Sequence, residues 1–376
     1  MLRAEAVTLE DFVAAVTAAV EVPTDLASEH LDGVPVYDGA LVADRSDVET
    51  EPGRQLLLEW ARVLLEGTGV FVVRRAVAAD IIDEATEVFA AIVAEETADG
   101  GPAGDHFAAA GANQRIWNVL EKHCLRAPES FARYYSTPAV AMASLAWLGP
   151  GYQVSAQVNM VNPGAPAQEP HRDYHLGFMS DQQAEHYLSH VHRLSPALTL
   201  QAAFAHTDMP VETGPTFFLP GSQRYEAGYV AWRNDEVRAY VAEHQQQVAL
   251  AKGDMLFFNP AVLHGAGANH TDDVQRIANL LQISSPFGRA MEDIDRRAMV
   301  AALYPALRRR WDAGDDRAAL RRALAACAEG YAFPGDLDRD QPVDGLAPPS
   351  DAAIVEQALA EGWSAAQLAQ ALPRRT

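Results

Sequence analysis

Between Gln153 and Ser285 the chain repeats one pattern: a short β-rich run, a Pro- or Gly-bearing break, then another run. The runs are QVSAQVNMV, ALTLQAAFAHT, PTFFLPG, QVALAKGDMLFFN and RIANLLQIS. Alternating apolar residues rich in Val, Ile and Phe predict strands, and turn residues between them predict an antiparallel sandwich or barrel. Helical patterns surround this block. Thr8 caps a helix running to about Val20, and a polar, proline-bearing stretch follows to about Glu51. RQLLLEWARVLLEGTG reads as an amphipathic helix, Gly69 to Val77 as a strand, and AADIIDEATEVFAAIVAEE as a helix. Asp99 to Gly111 is a glycine-rich loop placed to border an active site. From Arg115 to Trp147 the pattern is mostly helical, ending at the Leu148–Tyr152 break. Within the β-rich block, DQQAEHYLSHVHRLSP and NDEVRAYVAEHQQQ have helical character.

Beyond Pro286 the chain turns helical again, with a Pro- and Asp-rich loop from about Phe333 to Pro349. The fold class expected is mainly β with helical additions (α+β): a helical and loop extension over 1–52, a β-rich catalytic unit over 53–285, and a helical extension over 286–376. That last extension is expected to pack on the core. A lid or a homodimer contact is its functional alternative.

Composition narrows the chemistry. With 51 acidic against 29 basic residues the net charge is −22, so nucleic acid and anionic membrane are disfavoured as partners. Two cysteines, Cys124 and Cys327, rule out a disulfide framework and a thiolate metal site. Any transition metal must therefore sit on histidines and carboxylates. No apolar run is long enough to span a membrane, and the opening MLRAEAVTLEDF lacks a signal-peptide pattern. A cytoplasmic protein is the expectation.

Three segments carry the chemistry. In Glu169-Pro-His-Arg-Asp, His171 and Asp173 are two apart, so in an extended chain both side chains share a face and can bind one ion. His-x-Asp alone is a weak signal. The second segment, GDMLFFNPAVLHGAGANH, places His264 directly after a buried strand, with small neighbours Gly265, Ala266 and Gly267 leaving room for a ligand. Two histidines and one carboxylate on one face of an octahedron leave three positions open. Third, Arg276 opens the strand RIANLLQIS and brings a cation near that ion; a guanidinium suits a carboxylate-bearing ligand because it donates two parallel hydrogen bonds.

Taken together, QVNMVNPGAPAQEPHRDYH, TGPTFFLPGSQRY and GDMLFFNPAVLHGAGANHTDDVQR resemble the phytanoyl-CoA dioxygenase family, with supporting likeness in LLEGTGVFVVRRAVAADIIDEA and NVLEKH…LGPGY. The likeness covers about Arg54 to Ser285. It implies a double-stranded β-helix (jelly-roll) core, Fe(II), 2-oxoglutarate as cosubstrate, and O2. It carries His171, Asp173 and His264 over as metal ligands and Arg276 as the binder of the far 2-oxoglutarate carboxylate. Gln157, Asn159 and Lys122 match positions on the cosubstrate or substrate side. The chain departs from the family pattern at Thr213 and Gln223, where Asn and His are usual; both are scaffold positions. Halogenating relatives lack the carboxylate, so Asp173 favours hydroxylation, with release of succinate and CO2. The substrate expected is a small molecule or biosynthetic intermediate. The rival readings are a cupin-like metal enzyme that does not use an oxo acid, and a non-catalytic binder on the same scaffold. His175, His190, His192, His206 and His270 are expected to be hydrogen-bonding or surface residues, and Tyr174 and Phe178 to line the pocket or fill its mouth.

Overall fold

The computed structural model describes the chain apart from residues 99–112, 336, 340, 343–344 and 373–376. The glycine-rich loop expected from Asp99 to Gly111 lies outside the described residues. Eleven strands are present among those described: β1 (Glu29–Leu31), β2 (Val34–Asp38), β3 (Val70–Arg74), β4 (Asn113–Ile116), β5 (Gln153–Val161), β6 (Thr199–Ala205), β7 (Thr216–Phe218), β8 (Gln246–Gln247), β9 (Met255–Phe258), β10 (His264–Ala266) and β11 (Arg276–Ser284). They form two sheets, one of eight strands in the order β1-β2-β3-β9-β6-β11-β5-β4 and one in the order β10-β7-β8. All pairings are antiparallel except β2 with β3. The backbone of the large sheet is β11, paired along its whole length with β5, from Arg276 opposite Val161 to Ser284 opposite Gln153, and with β6 on its other side.

The two faces of the large sheet bury different things. On one, Val70, Val72, Ala203 and Leu256 pack towards Phe218 and Val248 of the small-sheet side, forming the interior of the jelly roll. On the other, Phe71, Phe204, Phe257 and Leu281 pack under the helices. Burial on both sides is why β6 is apolar or buried at every position rather than alternating. The helix Glu51–Leu65 lies on the outer face, capped by the Thr50 side chain on Gly53 N–H. Its Trp60 stacks on Phe71 at 4.5 Å, and Phe71 stacks on Phe257 at 5.1 Å, locking helix to sheet.

Two sequence expectations change. The stretch before Glu51 is no mere extension: β1 and β2 add two strands to the large sheet. Its proline hid this, yet Pro35 lies in the β1 hairpin, before pairing with β3 begins at Val36. The mostly helical pattern from Arg115 is entered through β4, a strand of four residues that is too short and too polar to show an alternating pattern. The tail helices, Arg296–Asp312, Arg317–Cys327, Asp351–Glu361 and Ala365–Ala371, share one apolar cluster with Leu120, Phe131 and Tyr135, through Met299, Leu303 and Leu320. Arg296 also donates to the Val154 carbonyl on β5 at 2.9 Å.

Candidate metal centre

His264 sits in β10 opposite Phe218. His171 is bridged to it by backbone: His171 N–H donates to the His264 carbonyl at 2.9 Å and receives the reverse bond at 3.1 Å. Two residues later, Asp173 N–H donates to the Pro260 carbonyl at 3.2 Å. Residues 93 positions apart are thus set side by side by main-chain bonds.

Each imidazole is also oriented. His171 Nδ1 lies 2.9 Å from the Glu169 carbonyl and His264 Nδ1 lies 2.8 Å from that of Val262. A carbonyl only accepts, so both rings carry their proton on Nδ1 and leave the Nε2 lone pair free. Those Nε2 atoms lie 3.7 Å and 3.5 Å from the two Asp173 carboxylate oxygens, and the three donor groups fall within 4.8 Å of one another. Burial pushes the His171 pKa down, outweighing the nearby Asp173 carboxylate. Burial alone would raise Asp173, but His171, His264 and Gln201 together hold it below the ordinary carboxylate range. A neutral imidazole beside a carboxylate anion is the protonation state a divalent ion needs. Two nitrogens and one oxygen with open space beside them suit a first-row metal.

That open space is a cavity of about 520 Å³. Its walls include the triad, Gln157, Asn159 and Arg276. Arg276 is 4% exposed, and among the described residues its guanidinium has no hydrogen-bonding or ion-pair partner. Burial lowers its pKa to about 10, so it stays cationic at neutral pH. A desolvated, unpaired cation facing a cavity fits a carboxylate-bearing ligand. Gln157 Oε1 accepts from Arg115 at 2.8 Å, and Asn159 lies across β4–β5 from Arg115.

Arg115 carries no sequence signal of its own; it is the third residue of the short strand β4, opposite Asn159. Lys122 is a correction. On the helix Val119–Arg126 it pairs with Glu96, and it is absent from the cavity wall. Packing also requires the glycines after His264: a Cβ at Gly265 would meet the Phe217 ring at 2.6 Å, and one at Gly267 would meet Gln247 at 2.2 Å. Gly265 and Ala266 line the cavity, so the small residues serve the hairpin's own packing as well as the open space beside His264. Tyr174 and Phe178 do line the cavity, and Tyr174 and His175 have positive φ, 65° and 44°, turning the chain sharply just past Asp173. His206 lies remote from the triad, between Thr86 and Tyr134. Among the described residues, the cavity lining ends in sequence at Met291, before the tail helices begin.

A jelly roll that holds two imidazoles and a carboxylate beside an internal cavity defines the class of mononuclear β-helix metal proteins. Within that class the chain belongs to the phytanoyl-CoA dioxygenase (PhyH) family, whose model matches residues 65–278. It is similar to "Dioxygenase trt7" of Aspergillus terreus (strain NIH 2624 / FGSC A1156), 27% identical over 122 residues, which make up 32% of this chain and 37% of the relative. The chain thus spans little more than a third of that relative's length. Among solved structures it is similar to the epimerase SnoN from nogalamycin biosynthesis, at 19% identity and a TM-score of 0.42, covering 62% of this chain and 84% of the other. HygX from Streptomyces hygroscopicus, solved with nickel and 2-oxoglutarate, matches at 13% identity and a TM-score of 0.40, over 62% and 89%.

Proposed function

We propose that this chain is an Fe(II)- and 2-oxoglutarate-dependent dioxygenase that hydroxylates a small molecule. His171, Asp173 and His264 hold the iron, and Arg276 receives the far carboxylate of 2-oxoglutarate. With both bound, the centre supplies oxidation of an unactivated C–H bond by dioxygen, leaving succinate and CO2. The chain's share is to bind, orient and exclude water. The histidines offer Nε2 because backbone carbonyls hold their Nδ1 protons. Gln157 and Asn159 line the wall on the cosubstrate or substrate side, and Tyr174 and Phe178 line the substrate side. The catalytic unit is residues 53–285, and β1 and β2 complete its sheet. A cavity of about 520 Å³ suits a small-molecule substrate.

Family membership supports the reading, and so does the dioxygenase name of the Aspergillus relative. One observation carries it: an unpartnered buried guanidinium shares a cavity with two imidazoles and a carboxylate. No helix among the described residues is long and apolar enough to cross a membrane.

The test is an anaerobic titration with iron(II) and 2-oxoglutarate, followed in the visible region. A weak charge-transfer band growing to one equivalent is expected, and succinate release on adding a turned-over small molecule should follow. Stoichiometric iron binding without any such band on adding 2-oxoglutarate would refute the cosubstrate assignment.

A further inference from the structure

We infer that Gln201 is the positioning residue of the metal centre, fixing the rotation of the Asp173 carboxylate; this rests on the metal reading above. The three ligands are not held alike. Both histidines sit in a backbone bridge and lean on a carbonyl two residues upstream. Asp173 lies past that bridge, outside any regular strand, and the two residues after it have positive φ. The torsion that rotates a carboxylate is soft, so its own backbone does not set it. Among the described residues, Gln201 is the one side chain outside the triad that hydrogen-bonds this carboxylate, with Nε2 donating to Oδ2 at 2.6 Å.

Gln201 suits the task. It is 4% exposed and sits in β6, paired on one side with Gln282 of β11 and on the other with Phe258 of β9, so its backbone is held from both edges. Its orientation is unambiguous, because a carboxylate only accepts and therefore faces the amide nitrogen. That leaves Oε1 buried and without a partner. A half-satisfied buried amide costs folding free energy without return, which is expected where a residue serves a site rather than the core. By occupying one lone-pair direction of Oδ2, the amide also disfavours the carboxylate closing on an ion with both oxygens.

The experiment measures Mn(II) binding to metal-free protein by the loss of the free-ion electron paramagnetic resonance signal. It compares wild type with Q201M, Q201E, Q201N and Q282M. Q201M keeps the size and loses the donor; Q201N keeps the amide but is one methylene too short. Both are expected to bind Mn(II) 10- to 100-fold more weakly, the usual penalty for losing such a partner, and Q201E at least as weakly. Q282M, one strand over, should stay within twofold of wild type, and the metal-free melting temperature of Q201M should not fall below that of wild type. Equal Mn(II) affinity for wild type and both Q201M and Q201N overturns the role of Gln201 alone. A wild type that binds no Mn(II) overturns the metal site itself. If Q201M does not fold, Q201N decides the matter.

Discussion

At position 276 a cation is buried with nothing described to neutralise it, an arrangement whose cost is offset only when a ligand brings an anion. A bidentate, charge-assisted contact there is worth about 3 kcal/mol, or about two orders of magnitude in affinity. R276A should therefore weaken 2-oxoglutarate binding ~100-fold while leaving Mn(II) binding intact, and R276K should fall between, since lysine keeps the charge but not the fork. Titrating the charge-transfer band measures both; an unchanged 2-oxoglutarate midpoint in R276A removes Arg276 from the cosubstrate site. His171, Asp173, His264 and Arg276 were legible because each stands in a short motif with a chemical reason for its spacing. Gln201 and Arg115 were not, because a glutamine in an apolar strand and an arginine in a polar tetrapeptide carry no such pattern. Their places at the cavity come only from which neighbours β6 and β4 meet.

Strands and helices here are stabilised where they are covered. The helix Glu51–Leu65 is held to the large sheet by Trp60 against Phe71, with Phe257 beneath. W60A empties that contact without touching the cavity, and a cost of about 3–5 kcal/mol is expected from a large-to-small core change. Urea unfolding monitored by circular dichroism checks it, and a loss below about 1 kcal/mol would mean that the sheet's outer face repacks easily. The long or strongly apolar elements were readable as such: β5, β6, β9 and β11, and the helices capped by Thr8 and Thr50. Three short ones were not. β1, β4 and β8 have three, four and two residues, too few for a period to declare itself.

For the molecule as a whole, the outer layer is one core: tail helices and middle helices share it. Two histidines are sealed inside that layer. His123 rests on Ser130, and His206 sits between Thr86 and Tyr134. Burial pushes both pKa values down to about 3. In the unfolded chain they titrate near 6.5, so between pH ~6.5 and ~3 the unfolded state takes up protons that the folded state refuses. Stability is thus full above pH ~6.5 and falls as the pH drops through that window, by about 2 kcal/mol per histidine at pH ~5. Urea midpoints at the two pH values measure the loss, and H206Q should lose less than wild type. Equal midpoints at both would show that these rings charge freely in the fold.

What the sequence determined by itself is what rests on local pattern: turn-separated strands that must close into a β sandwich or barrel, the chemical type of each ligand, and the absence of any thiolate alternative. Tertiary structure decided what depends on register. The backbone bridge brings His171 against His264, the β6–β11–β5 ladder brings Gln201 and Arg276 to the same cavity, and the helix carrying Lys122 turns it towards Glu96 instead. A shift of one residue in a strand sends its side chain to the opposite face, and no local pattern records which neighbour a strand will meet.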